Sequence, residues 1–435
     1  VAAEAVRDRW PWGGFPWGRL SMSQASAPTL RWVAIGGPVL LTFLLALAGA
    51  CLAWLLLGSS RRAAASGQLP TARPAAAQLR RRILPAACLL VAAGMAVAGP
   101  LLPVDRGAPG TPSATVAAVQ GNVPRARNLS DLLRASTVTA NHADATEQFA
   151  ARVRSGSVPA PDVVIWPENS TDQDPRLNPF IYGAIASAVN AINRPVLVGA
   201  VLQHPLRNSG QLWRPQRGPG RSYIKRRLVP FGEIIPFRSF LDVFTTLPAL
   251  QPVNFHPGHR AVVFHLGKIR LGDVICYEVG FDGLVSSEVA AGANLLTVQT
   301  NDADFELDGQ TGETLQQLAM ARIRAVEHDR AVVVASTTGV SAIIAPDGKL
   351  LARTPLWQRA TIETRVPLRT TTTVADRLGG WPEGVITGAT LAALIWMIVA
   401  ALAERRRTSL ARRGTPPAIS GAAGPSDTAP GGGAV

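Results

Sequence analysis

The segment "RLGDVICYEVGF" (Arg270–Phe281) places Cys276, one of only three cysteines in 435 residues, at the end of an apolar run and just before a turn. A strand that ends this way delivers its last side chains to the crevice at the edge of a sheet. A thiol there can attack a carbonyl carbon if a base takes its proton and a cation steadies the anion. Two other segments hold those residue types. "DVVIWPEN" (Asp162–Asn169) ends near Glu168, and "YIKRRLVPFGEIIPF" (Tyr223–Phe237) carries Lys225 and Glu233 in a Pro/Gly-rich loop. Position alone also fits Cys276 as a small buried hydrophobe, and Glu168 with Lys225 as a surface ion pair. Other chemistries lack their residues. None of the six histidines has metal-ligand spacing, and His256-x-x-His259 reads as a turn. No Gly-rich phosphate loop, no Gly-x-Ser-x-Gly and no Cys-His-Asn order is present.

The elements that must position these side chains alternate between two patterns over residues 113–368. Apolar, β-branched runs predict strands at Ser113–Asn122, Asp162–Asn169, Pro195–Leu202, around a turn at Gly267, and at Asn294–Asp302. Helical spacing predicts helices at Leu132–Val153, Ile181–Ile192 and Glu313–Arg330. A further strand, "AVVVASTTG", precedes a hairpin that turns at Pro346-Asp347-Gly348. Continuous apolar strands separated by helices predict an α/β layered domain with both faces of its sheets covered.

The remainder of the chain points to a membrane. Charged residues make up only 17% and hydrophobic ones 47%. Three uncharged runs, 34–57, 83–102 and 384–402, each have about the 20 residues that span a bilayer as a helix. The net charge of +14 is concentrated beside them: six arginines and no acid between 59 and 82, and five arginines against Glu404 between 404 and 413. A nucleic-acid partner would also use such charge, but the positive-inside rule accounts for both patches together. The resulting plan has an extracytoplasmic segment 1–33 and a basic cytoplasmic loop 58–82. A catalytic domain 103–383 lies outside, and a disordered cytoplasmic tail occupies 403–435. The opening "VAAEAVRDRW" reads as the interior of a longer chain. A lone Cys276 in an oxidising compartment is expected to be buried or used.

Four motifs in order, "VVIWPEN", "YIKRRLVPFGE", "GDVICYE" and "TND…LAMARIRAVEHDRAVVVASTTGVSAII", resemble the nitrilase superfamily and, within it, the apolipoprotein N-acyltransferase branch. "GFPWGRLSMSQ" (Gly14–Gln24) is similar to a segment that branch carries upstream. The resemblance implies a nitrilase-like αββα sandwich attached to transmembrane helices. It also implies a Glu–Lys–Cys triad of Glu168, Lys225 and Cys276, supported by Glu233, Tyr277 and Glu278. The implied reaction is two acyl transfers, from a phospholipid to Cys276 and on to the α-amino group of a lipoprotein's diacylglyceryl-cysteine. It needs no cofactor and no metal, involves no nucleic acid, and is carried out by a monomer in the bacterial cytoplasmic membrane. The loop Asn301-Asp302-Ala303-Asp304-Phe305-Glu306 departs from that family, which carries tryptophan and glycine where Asp304 and Glu306 stand. The alternative is a membrane-tethered amidase with water as acceptor. A rival of another class is a non-catalytic membrane scaffold.

Overall fold

Short Val/Ile/Leu-rich runs settle into strands because β-branched side chains suit a pleated, covered surface. The computed structural model describes residues 1–64, 87, 90, 93–95, 97–102, 110–124, 131–246, 251–304 and 311–413. One sheet contains β1 (Ser113–Gln120), β2 (Val163–Ile165), β3 (Val196–Leu202), β4 (Arg207–Arg214), β5 (Gly218–Ile224) and a late strand, β12 (Ala360–Pro367), in the order β12-β1-β2-β3-β4-β5. The other contains β6 (Val263–Leu266), β7 (Ile269–Ile275), β8 (Leu295–Thr300), β9 (Ala331–Ser336), β10 (Ala342–Ile344) and β11 (Leu350–Arg353), in the order β11-β10-β9-β8-β7-β6. The inner strands β1, β2 and β3 are parallel, as are β7, β8 and β9. The outer pairings are antiparallel.

The helices are α1 (Ala2–Arg7), α2 (Val33–Ala64), α3 (Asp131–Arg154), α4 (Pro179–Ile192), α5 (Arg238–Phe244), α6 (Asp282–Ala290), α7 (Gly312–His328), α8 (Val374–Leu378) and α9 (Trp381–Arg413). Three apolar layers result. Phe149 of α3 and Ile185 and Val189 of α4 meet Val164, Val198 and Trp213 on the outside of the first sheet. Val116, Ile165, Leu197 and Leu212 face Ile269, Ile275, Leu295 and Val333 between the sheets. Leu284 and Val285 of α6 and Met320 and Ile323 of α7 cover Val274, Leu296 and Val334 of the second sheet. The result is an αββα sandwich. Every position of β3, β8 and β9 is buried; β3 and β9 accordingly read as nearly unbroken apolar runs, whereas β8 also buries Thr297, Gln299 and Thr300. Each fully buried Val, Leu or Ile side chain among them contributes about 1.5–3 kcal/mol when withdrawn from water.

Local signals set the boundaries. Asn178 caps α4, its side-chain oxygen accepting from the N–H groups of Phe180 at 3.0 Å and Ile181 at 3.3 Å, with Pro179 opening the helix. The 346–348 turn closes with Gly348 N–H on Ala345 O at 2.9 Å, and Gly348 has a φ of 82° that favours glycine. The apolar run 162–169 is a strand only over Val163–Ile165. Pro167 has no N–H to extend the ladder, and the chain turns away before Glu168.

Two helical stretches, Pro28–Ala53 and Trp381–Arg407, are long and apolar enough to cross a membrane. The first changes direction at Gly36 and Gly37, ahead of Pro38. Residues Val1–Ile386 form one unit, and Thr387 onward, including most of α9, forms another. On α9, Leu391, Ile395, Trp396 and Met397 are exposed. Much of the expected span 83–102 and of the loop 58–82 lies outside the described residues. So do 414–435 of the tail and Phe305 and Glu306.

Candidate active site

The site collects at strand ends, where a sheet's last residues are free to turn out of the ladder. Glu168 follows β2 and Lys225 follows β5 in one sheet, while Cys276 follows β7 and Asn301 follows β8 in the other. Facing sheets therefore bring the four together. The Pro167-Glu168 turn runs so close to β3 that a Cβ on Gly199 would stand 2.0 Å from Pro167 O, which explains glycine at that position.

Two carboxylates, an ammonium and an amide form the polar centre. Lys225 Nζ donates to Glu168 Oε1 at 2.8 Å and to Glu233 Oε1 at 3.0 Å. Asn208 Nδ2 donates to the same two oxygens, at 2.7 Å each. The second oxygens are also engaged: Glu168 Oε2 accepts from Asn301 N–H at 3.0 Å, and Glu233 Oε2 from Val229 N–H at 2.9 Å. Burial alone would lower the Lys225 ammonium, but Glu168 and Glu233 outweigh it and hold the group well above the usual lysine range.

Cys276 adopts a φ of 50°, rare for a residue with a side chain. It opens a short 3-10 turn, Cys276–Gly280, that swings the chain off the end of β7. Burial pushes the thiol well above its usual range and the Glu168 carboxylate adds to this. Lys225 and the Thr300 hydroxyl pull it back only in part. The resting group is thus a thiol, and a base is required at the moment of attack.

Glu278 is completely buried and spent on structure. Its Oε2 accepts from Tyr223 Oη at 2.8 Å and Ile275 N–H at 2.9 Å. Its Oε1 accepts from the N–H groups of Arg226 at 2.6 Å and Arg227 at 3.0 Å. This one carboxylate fastens the loop after Lys225 to the turn after Cys276. Tyr277 points elsewhere. Its hydroxyl donates to Gly14 O, and its ring lies 6.1 Å from Phe15, 6.3 Å from Trp17 and 5.1 Å from Phe281. The N-terminal "GFPW" stretch is thereby drawn against the nucleophile turn. Trp12, Phe15, Trp17, Phe231 and Tyr277 wall a cavity of about 670 Å³ that opens on Cys276.

Asn208, which bridges both carboxylates, is absent from the sequence reading because it lies in "RNSGQLWR", a segment whose polar and glycine residues look like a loop. A polar side chain two residues from a glycine, upstream of Tyr-x-Lys, is the signal that was available. Asn301 and Asp302, by contrast, mark the end of a readable strand. Asp302 is fixed by Thr300, Thr314 and Ser336 hydroxyls at 2.9, 2.8 and 2.7 Å, which sets the Asn301 N–H that holds Glu168.

A crevice with this arrangement on an αββα sandwich defines the carbon-nitrogen hydrolase class, and residues 115–376 match the carbon-nitrogen hydrolase family. Residues 1–51 match the apolipoprotein N-acyltransferase N-terminal domain. The apolipoprotein N-acyltransferase of Mycolicibacterium smegmatis is 38% identical over 87% of this chain and 64% of its own length. That of Azotobacter vinelandii is 31% identical over 93% of this chain and 72% of its own length. An amidase from the nitrilase superfamily of Nesterenkonia AN1 superposes with a TM-score of 0.43 at 16% identity, over 58% of this chain and 90% of that one. The chain belongs to the apolipoprotein N-acyltransferase family.

Proposed function

We propose that the chain transfers a fatty acyl group from a phospholipid to the α-amino group of a lipoprotein's N-terminal diacylglyceryl-cysteine, through a thioester on Cys276. Glu168 takes the thiol proton as Sγ attacks the ester carbonyl. Lys225, with backbone N–H groups near the turn, steadies the oxyanion. The ester C–O bond breaks, and the lysophospholipid alcohol leaves with the proton from Glu168. The acceptor amine then attacks the thioester and gives a proton to Glu168. The C–S bond breaks and Cys276 regains that proton. The product amide is more stable than the thioester, and the order of events is ping-pong.

The observation that carries this reading is the largely apolar cavity against the Cys276 turn, walled jointly by the N-terminal segment, through Pro11, Trp12, Phe15 and Trp17, and by Val229, Phe231 and Tyr277 of the sandwich. It falls within the range of about 300–1,000 Å³ typical of ligand pockets, and an aromatic wall suits an acyl chain. It also keeps water from the thioester, without which the enzyme would be a lipase. Glu233 and Asn208 hold Lys225 and Glu168 in place, and Glu278 and Tyr277 hold the turn. The arginine distribution supports an extracytoplasmic catalytic domain, so that both lipid substrates arrive laterally from the outer leaflet.

Incubation of the purified chain with phospholipid vesicles and a diacylglyceryl-cysteine peptide tests this reading. N-acyl peptide and lysophospholipid are expected in equal amounts. Free fatty acid without N-acyl peptide would identify a hydrolase instead.

A further inference from the structure

Three residues before Cys276, β7 carries Asp273, a completely buried carboxyl that the proposed reaction does not use. Neither of its oxygens meets an aligned hydrogen-bond donor among the described residues. Gln299 Oε1 on β8 is buried and equally without a donor. The two residues face the same spot: a Cβ on Gly210 of β4 would stand 1.9 Å from Asp273 Oδ2 and 2.5 Å from Gln299 Oε1. Glycine on β4 makes the room they occupy.

The amide's orientation is fixed from its other side. Gln299 Nε2 donates to Trp166 O at 2.6 Å. Flipping the amide would set oxygen against that carbonyl, an acceptor only. Gln299 Oε1 must therefore point away from Trp166. An ionised Asp273 would put a buried charge beside that second acceptor, with no aligned donor for either among the described residues, an unfavourable arrangement. A single proton on the carboxyl removes the charge and supplies the missing donor.

We propose that Asp273 is a neutral carboxylic acid whose hydroxyl donates to Gln299 Oε1, and that the pair is a positioning device that registers the Cys276 strand against the Glu168 turn. The link runs from β7, through Gln299 on β8, to the Trp166 carbonyl in the facing sheet, two residues before Glu168. The surroundings agree. Burial raises the pKa of Asp273 well above the carboxylate range, and the carboxylates of Glu278 after β7, Glu288 on α6 and Glu168 after β2 push the same way. The Val274 N–H opposes them. Asp273 touches no reacting atom, so its loss is expected to slow acylation without weakening donor binding.

The role in acylation rests on the function proposed above, whereas the protonation state does not, and the experiment separates them. Difference infrared spectroscopy of the full chain in detergent, wild type against Asp273→Asn at neutral pH, is expected to show a carboxylic acid carbonyl band that the variant lacks. No band overturns the proposal, including the case in which a buried water is the donor. Thioester formation on Cys276 from phospholipid is the second reading. Asp273→Ala and Gln299→Leu are each expected to slow it about tenfold or more, because small misplacements of reacting groups are costly, with the KM for donor unchanged. Asp273→Asn, whose amide restores a donor to Gln299, is expected to recover most of that loss. Equal losses in Asp273→Asn and Asp273→Ala, or no loss in Asp273→Ala and Gln299→Leu, overturn it. If Asp273→Ala does not accumulate, Gln299→Leu and Asp273→Asn decide between the same outcomes. A wild type that forms no thioester counts against the proposed function alone, and the infrared band still reports on Asp273.

Discussion

At the scale of single residues, the site is an account of one proton. The Cys276 thiol is held protonated at rest, by burial first and by Glu168 next. Its alkylation by iodoacetamide should therefore rise only above the ordinary thiol range as pH increases, since a raised pKa delays thiolate formation. A rate already at its plateau at neutral pH would contradict this. Asn208 makes two charge-assisted bonds, each worth about 1.5–3 kcal/mol. Asn208→Ala should slow thioester formation about tenfold to a hundredfold, measured by rapid quench, with the same donor KM. Glu168, Lys225, Glu233 and Cys276 could be picked out from the sequence because motif and residue chemistry coincide there. Asn208 could not, because its function depends on two carboxylates that are distant in the chain and meet only in the folded sheet.

At the scale of elements, legibility followed apolar composition: Arg207–Arg214 is mostly buried, but its polar and glycine residues hide it. Strands covered on both faces, such as Val196–Leu202 and Ala331–Ser336, gave unbroken apolar runs and were foreseen. The strands Arg207–Arg214, Gly218–Ile224 and Ala360–Pro367 were not. The last two lie at sheet edges, and their residues are mostly only partly buried. Close approach rather than burial explains Gly199, and Gly199→Ala should destabilise the chain by about 1–3 kcal/mol, as overpacking does. Thermal unfolding in detergent would show this, with a parallel loss of thioester formation as the Glu168 turn is pushed away. The N-terminal segment is held to the sandwich by charge. Asp282 on α6 bonds Arg19 and Arg324. Burial would raise the Asp282 carboxyl, but those two arginines outweigh it and hold it below the usual range. A depressed folded-state pKa gives stability that is present above the unfolded value and lost as pH falls through the folded one. Asp282→Asn should thus lower stability at neutral pH, and the difference from wild type should shrink in strong acid. A difference that stays constant with pH would rule out the ion pairs as its source.

At the scale of the whole molecule, the two apolar helices and the arginines beside them determine how the chain must be handled. The helix from Trp381 exposes Ile395, Trp396 and Met397, side chains that suit lipid. Detergent should be required to release the chain from membranes, and high salt or alkaline carbonate should leave it in the pellet. Release by salt alone would favour a peripheral, charge-held protein. The sandwich, and the strand ends that carry Glu168, Lys225 and Cys276, were legible without the membrane. The manner in which the N-terminal segment closes over Cys276 was not, because its apolar and aromatic residues fit a loose linker as well as a cavity wall. In the proposed function, that wall is what suits the crevice to an acyl chain.

The central claim is that Cys276 carries the acyl group. Mass spectrometry of the intact chain after exposure to phospholipid, without acceptor, tests it directly. A single acyl adduct is expected on the peptide containing Cys276. The adduct should be removed by hydroxylamine, discharged by a diacylglyceryl-cysteine peptide, and absent from Cys276→Ala. An adduct on another residue, or N-acyl transfer that persists in Cys276→Ala, would contradict it.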